Sequence, residues 1–578
     1  MIATLIPGYQ DLFGARDISY HDLLRNISSD TVIMLLISLN AELNSDESHQ
    51  ANQKRLLEVV TLRYTATQIS DLKTRLANFK AKTQGYDGTL FGRRYLLSMI
   101  LKELERKNEN SIDQNDPMHE YNFLLAYLII VDEVNEKDHT LLDEAKKYTL
   151  PIMPVMPLLW ASNINQYEYN DRTNLAFEFY KLLSFCKYAY DNHKAFLKEL
   201  INRYKFSNIS QFIGSFNQVV KSTMTYQPNE FLRKLYFIVP KKEIDYSHLN
   251  SQCINNIIDL NKSSVADLKK FPLYKTQERG IMVIDEDMYR KKVYRGPLFE
   301  LNKETGLSNK MKFEDYKTEV SKKCFEEILF KGIVRQLMNE PSIVHFDSGN
   351  SIGEPDIYYR VGNDIFLVEF KDYLFPDTLI TGTSFGAYKK YINERFLSSD
   401  RAKSKGVSQL TNCINNLFSK KYEFDSDLNE KIDKRERINV YPFICHTDFI
   451  FSMPGLNEYL NHLFVKQLRE KKCSYDGVNK ITLINLDALF DLALRGGDFA
   501  KLLSFVRRYY DKINLMREKA SASLSIDDFV PSTASFDEWY ITRFRSEMID
   551  KGELTNNDRT SRMSSIIGIS QEQLDEIL

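Results

Sequence analysis

Apolar positions recur every three to four residues through most of the first 265 residues, in runs such as LLEVVTLRYTATQISDLKTRLANF, YNFLLAYLIIVDEV and LAFEFYKLLSFCKYAYDNHKAFLKELINRY. This spacing predicts amphipathic helices joined by short polar turns, so residues 1–265 are expected to form a large, mostly α domain. No fixed-period repeat is present, and a bundle and an irregular solenoid both remain open. The aromatic residues Phe177, Phe179, Tyr180, Phe185, Tyr188 and Tyr190 fall at helical spacing and are assigned to packing rather than to base stacking. Over residues 266–305 the texture changes to FPLYKTQERGIMVIDEDMYRKKVYRGPLFEL, where β-branched and aromatic residues are punctuated by Gly280 and Gly296. A β-rich connecting insert is expected there.

Residues 306–500 read as helix, strand, hairpin, helices, strand, helix and strand, the mixed order of an α/β or α+β domain. Residues 501–578 are expected to be a helical C-terminal extension, with a flexible linker near 519–535 where small and polar residues surround Pro531. The last stretch, SSIIGISQEQLDEIL, resembles a helix-turn-helix. Its final helix carries Glu572, Asp575 and Glu576, however, and these would repel phosphates, so packing or protein contact is the expectation. The fold class is therefore multidomain: a large α domain followed by an α/β domain and a helical extension.

Composition changes this picture little. The chain has 578 residues, 43% hydrophobic and 27% charged, which excludes a disordered or fibrous protein. No apolar run approaches the roughly 20 residues needed to cross a bilayer, and the N-terminus lacks the pattern of a signal peptide, so a cytoplasmic location without membrane partners is expected. Six cysteines are scattered without a CxxC pair, which argues against a zinc or disulfide framework. With 77 Lys plus Arg against 79 Asp plus Glu, a surface for nucleic acid has to be local.

The chemistry-bearing text is FEEILFKGIVRQLMNEPSIVHFDSGNSIGEPDIYYRVGNDIFLVEFKDYLF, from Phe325 to Phe375. Two apolar-rich segments flank Gly362-Asn363, a dipeptide suited to a two-residue hairpin turn. Pairing Val361 with Asp364 and counting outward sets Asp356 opposite Glu369. Period-2 alternation then puts Lys371 on the face of Glu369, while Val368 and Phe370 point the other way with Ile357 and Tyr359. One face is expected to be apolar and the other to hold two acids and a lysine. Like charges directly across a strand pair repel, and a bound cation is the natural compensation. Hard carboxylate oxygens suit Mg²⁺, with Mn²⁺ as a substitute. The preceding helix, Tyr316–Met338, offers Glu326 as a further ligand, with Glu327 the alternative.

These residues resemble the PD-(D/E)XK nuclease superfamily, the restriction-endonuclease-like fold, over about 310–490. Pro355-Asp356 stands for the PD and Glu369-Phe370-Lys371 for the (D/E)XK, while Gln409 in GVSQL matches a polar residue often found beside such sites. VYPFICHTDFIF supplies a candidate next strand. The resemblance implies a core of helix, three-strand meander, helix and further strand, and it implies hydrolysis of phosphodiester bonds, in DNA rather than RNA. On this reading Asp356, Glu369, Lys371 and Gln409 are catalytic, and Asp356, Glu369 and Glu326 hold the metal.

After the hairpin, Lys389, Lys390, Arg395, Arg401, Lys403 and Lys405, followed by Lys420 and Lys421, form a local basic stretch expected to contact phosphates. His446, although followed by Asp448, has no Ser or Cys partner fixed by the sequence and is expected to be structural. The expectation is a Mg²⁺-dependent phosphodiesterase, more readily an endonuclease than an exonuclease, in restriction, anti-phage defence or mobile-element processing. The helical domain would recognise a substrate, protein partner or activator, and homo-oligomerisation stays open. Two alternatives stand beside it: a non-catalytic interaction or nucleic-acid-binding protein with a degenerate nuclease-like domain, and an RNA-processing nuclease.

Overall fold

The computed structural model describes residues 6–43, 48–83, 86–109, 118–150, 155–170, 175–224, 236–238, 247–256, 264–276, 280–338, 342–347, 353–397, 404–471, 477–523 and 529–548. The chain divides into two compact units, one formed by Ala3–Thr140 with Tyr169–Phe313, the other chiefly by Leu141–Glu168 with Glu314–Glu576. It is mostly helical, and the second unit holds a mixed five-strand sheet flanked by helices. Among the described residues no helix is long and apolar enough to cross a membrane.

The first unit is built on helices whose starts are legible in the chain. Ser48 accepts the Ala51 N–H at 3.3 Å, and Thr65 and Gln68 cap each other's backbone in a reciprocal box. The Leu36, Ile37, Leu96, Leu97, Leu128 and Ile129 side chains fill its core. Phe177, Tyr180, Phe185 and Tyr188 are buried as expected, whereas Phe179 and Tyr190 are half-buried.

The expected β-rich insert over 266–305 is corrected. Among the described residues only β2 (Leu273–Lys275) and β3 (Gly280–Val283) are strands there, and they join β1 (Tyr236–Ile238) in an antiparallel sheet of order β1-β3-β2. Glu286–Lys303 is a helix despite Gly296 and Pro297. Its start is fixed by buried Asp285, which accepts the Met288 N–H at 2.9 Å and also receives Asn40 Nδ2 and Arg93. That anchor outweighs the local preference of Gly-Pro for a turn.

In the second unit β4 (Ile343–Phe346), β5 (Ile357–Val361) and β6 (Asp364–Lys371) form an antiparallel meander. β7 (Asn439–His446) and β8 (Thr482–Asn485) then continue parallel to β6, giving the order β4-β5-β6-β7-β8. β6 is therefore central. Ile365 and Leu367 pack with Tyr358, Val440 and Ile444 beneath helices Phe385–Phe396 and Val407–Phe418. On the opposite face Phe370 stacks on Phe330 at 4.6 Å, and Phe366 lies 4.9 Å from Phe499. Helical cover on both faces explains why β6 reads as a nearly continuous apolar run. It also corrects the expectation of one polar face: both faces are core, and the acids and lysine occupy only the strand end.

The flexible linker expected near 519–535 is corrected over 519–523 and 529–535, while residues 524–528 lie outside the described residues. Helix Phe499–Ser523 runs through the Ala-Ser stretch. Beyond it, Ser532, Thr533 and Ser535 are buried, with the Thr533 carbonyl accepting the Gly455 N–H at 2.7 Å. Alanine is a strong helix former, so small residues do not by themselves signal a linker. The helix-turn-helix-like stretch lies outside the described residues.

Candidate active site

Three elements meet at the carboxyl end of β6: that strand end, the residues leading into β5, and the helical segment 313–337. The hairpin register runs from Val361↔Asp364 to Ile357↔Val368, so one further step brings Asp356 opposite Glu369. Gly362 adopts a φ of 59°, a left-handed value that glycine reaches without strain. Asp356 is also fixed from the side, because the Phe370 N–H donates to its Oδ2 at 2.5 Å. Lys371 Nζ donates to Glu369 Oε2 at 2.9 Å, and the Cys413 thiol faces Glu369 Oε1 at 3.9 Å.

Burial decides how these charges behave. Glu369 is 0% and Lys371 8% exposed, so the pair is interior and not the solvated hairpin edge that such a sequence can also produce. Burial pushes the Glu369 carboxyl up to about 8, with the Asp356 charge adding to it and Lys371 opposing it. Asp356 is raised in the same way, chiefly by burial, with Lys371 and the Phe370 N–H pulling it back. Burial alone would lower Lys371, but the Glu369 and Asp356 carboxylates hold its ammonium above the ordinary lysine value. Acidic Asp372 next door is a separate matter: burial opposes its ionisation, yet Lys317 and the Thr447 hydroxyl keep it below the usual carboxylate range.

The helical segment is not a regular α-helix. Between Ser321 and Phe330 its turns widen, so that the Lys331 N–H reaches the Glu326 carbonyl five residues back. Such wide turns re-aim side chains and are frequent at functional positions. Here Glu326 is 24% and Glu327 45% exposed. Burial and the Asp356 charge push the Glu326 carboxyl up to about 7. Lys331, itself buried, lies 2.7 Å from Glu327, 3.7 Å from Glu326 and 3.4 Å from the Asp347 carbonyl.

Four contributors escape the sequence reading. Asp347 follows β4 and donates its N–H to the Asp356 carbonyl at 3.2 Å, and its charge bears on both Asp356 and Glu369. Lys331, Cys413 and Tyr373 are the others. Asp347 has a signal in retrospect, since it ends a strand that pairs with β5; the other three depend on tertiary packing.

The remaining expected site residues are placed differently. Gln409 Oε1 accepts the Gly406 N–H at 2.9 Å and so caps its own helix, one turn before Cys413. Lys389 lies over the Tyr148 ring at 5.6 Å, Lys390 pairs with Glu394 at 3.6 Å, and Lys405 Nζ donates to the Glu394 carbonyl at 3.1 Å. Arg395 lies over Tyr373 and Tyr391, 5.0 Å from each ring. Arg401 and Lys403 are outside the described residues. Lys420 pairs with Asp433. His446 is fully buried, its Nδ1 bonded to the Asp448 carbonyl at 3.1 Å, and burial lowers it to about 3, so it stays neutral.

Among the described residues, no group of three or more His, Cys, Asp or Glu side chains stands arranged as a metal site. The donor chemistry still fits a hard cation. Mg²⁺ keeps most of its waters and takes one or two protein carboxylates, and the acids here are destabilised by burial and by one another, which a cation relieves. No protein-family model, curated protein or solved structure matches the chain.

Proposed function

We propose that this chain is a metal-dependent nuclease of restriction-endonuclease-like fold that hydrolyses phosphodiester bonds. The observation that carries the reading is the Glu369–Lys371 pair, buried at the carboxyl end of the central strand beside Asp356. A hairpin kept only for its fold would place apolar residues there, because an ionisable pair in the interior loses more hydration than its attraction returns. Ligands of open α/β sheets also bind outside the carboxyl ends of the strands, where β6, β7 and β8 all terminate.

Asp356 and Glu369, with Glu326 beside them, would hold Mg²⁺ or Mn²⁺. When bound, such an ion acidifies water and neutralises charge on phosphate oxygens. Lys371 remains protonated at neutral pH and is a fixed positive charge facing the negative charge that develops as the water oxygen bonds to phosphorus and the P–O bond to the leaving oxygen breaks. Glu369 keeps Lys371 in place. The Phe370 N–H holds the Asp356 carboxylate against rotation. DNA is the favoured substrate through the resemblance, and restriction, anti-phage defence or mobile-element processing are the settings it suggests. The helical unit would serve recognition of a partner or activator.

One observation favours a second reading, a binding module without catalysis: Lys371 already hydrogen-bonds Glu369 at 2.9 Å, and binding needs no metal. Incubation of the purified protein with plasmid, linear and single-stranded DNA and with RNA, in Mg²⁺, Mn²⁺ or EDTA, separates the readings. The nuclease reading expects metal-dependent cleavage lost in Lys371→Ala and Asp356→Ala. Cleavage that survives both substitutions refutes the site, and the absence of cleavage with every substrate and metal favours the binding module. Preferential cutting of RNA would replace DNA as the substrate.

A further inference from the structure

Among the described residues, Arg395 is the one expected phosphate contact whose surroundings link it to the acidic cluster. Its guanidinium lies 5.0 Å over the rings of both Tyr373 and Tyr391. Tyr373 follows Lys371 by two residues and feels the charges of Lys371, Arg395, Glu369 and Asp356 together. Tyr391 is tied to the same segment, its hydroxyl donating to the Leu374 carbonyl at 2.9 Å. Among the described residues Arg395 makes no ion pair with a carboxylate, although Lys390 on the same helix pairs with the Glu394 carboxylate and Lys405, ahead of the next helix, donates to the Glu394 carbonyl. A half-buried arginine on two aromatic faces has lost side-chain freedom in advance and presents its edge donors in a set direction.

We infer that Arg395, racked on Tyr373 and Tyr391 beside the Asp356–Glu369–Lys371 cluster, grips a phosphodiester of the bound nucleic-acid strand next to the bond that is cut, and so sets which bond enters the site. This rests on the nuclease reading. The aromatic rack and the planar guanidinium suit a bidentate contact with one phosphate, whereas the lysines on the same helix offer mobile point charges. Arg395 is thus a specificity-determining residue, and the contact requires no particular base.

The test uses the full chain carrying Lys371→Ala, so that oligonucleotide is bound without being cut. Fluorescence anisotropy with labelled DNA and RNA strands, single and duplex, is read in Mg²⁺ across a salt series. Adding Arg395→Ala is expected to weaken binding roughly 10- to 100-fold, the range for a charge-assisted hydrogen bond. It should also reduce the slope of log affinity against log salt by about 1. Oligonucleotides with one neutral methylphosphonate, moved position by position, should show one phosphate whose neutralisation weakens the parent but leaves the Arg395→Ala protein indifferent. Arg395→Lys should recover the salt slope without recovering the full affinity. Tyr373→Leu, which removes half of the rack and no charge, should weaken the same phosphate contact if Arg395→Ala does not fold. An Arg395→Ala protein with the parent's affinity, slope and methylphosphonate profile overturns this inference alone. A parent that binds no nucleic acid at all overturns the nuclease reading beneath it.

Discussion

Glu369→Gln should stabilise the protein while abolishing its proposed chemistry. The folded carboxyl titrates at about 8 against an ordinary value of 4.5, so between these pH values the folded state binds more protons than the unfolded one. Stability therefore falls as pH rises through this window, and no penalty exists below it, where both states are protonated. Each unit is worth about 1.4 kcal/mol, which makes the cost on the order of 3 kcal/mol at pH 7 and about 5 kcal/mol above pH 8. Glutamine keeps the shape and one acceptor for Lys371 but does not titrate. Thermal unfolding of wild type and Glu369→Gln from pH 5 to 9, in EDTA, should show the curves together at low pH and the variant ahead by roughly 5–10 °C near pH 8. The difference between the two proteins isolates Glu369 from Glu326 and Asp356, which are also raised. Mg²⁺ favours the charged carboxylate, so it should narrow the gap by stabilising wild type more. A variant less stable than wild type at pH 8, or a gap that does not depend on pH, refutes this account of the buried pair.

Other measurements address single links of the structure. Asp356→Asn retains an acceptor for the Phe370 N–H but removes the charge, and should lower metal-dependent cleavage by about 10²- to 10³-fold with little change in melting temperature. Asp425→Ala strips buried Arg360 of its bidentate partner at 2.6 and 2.7 Å and should cost about 3–5 kcal/mol in urea unfolding, with Asp425→Asn costing less. Gln409→Ala, losing a helix cap, should cost about 1 kcal/mol and leave kcat within a few-fold of wild type; a kcat loss as large as that of Asp356→Asn would restore Gln409 to the chemistry. The ring carbon shifts of His446 in NMR spectra should stay constant from pH 5 to 8, and a titration in that range would show that His446 is not sealed in the core.

The hairpin could be folded from its letters because its turn is short and distinctive: once Gly362 and Asn363 occupy it, every cross-strand partner back to Asp356 follows by counting. No such ruler existed for the helix before it. The wide turn between Ser321 and Phe330 shifts the phase of the helix within the span that contains Glu326 and Glu327, and nothing in SKKCFEEILF marks it. Asp347 left a weaker signal, the end of a strand, because its link to Asp356 runs through a strand pairing between segments separated in sequence. Gly296-Pro297 suggested a turn, and a distant Asn40–Asp285–Arg93 anchor held the segment helical. Local chemistry was legible where two partners lie close in sequence, and illegible where tertiary packing chose between local alternatives.

The conflict between fold and site points the same way as the motif. From Ile365 to Val368, β6 obeys the rules of a strand covered on both faces, with apolar residues throughout. Glu369 and Lys371 then break those rules at the strand's end, beneath the same helices. The helix that supplies Glu326 departs from regular geometry near them, and Lys331 is drawn into the interior beside Glu327. Were these departures dictated by packing, apolar substitutes would relieve all of them at once, since a sheet of this order needs neither charge nor a widened turn. Their concentration around one strand end is what a site requires when its charges must be held rigidly in place before the substrate arrives. It also explains why Glu369→Gln should gain stability: the residue whose removal helps the fold is the one the proposed chemistry needs.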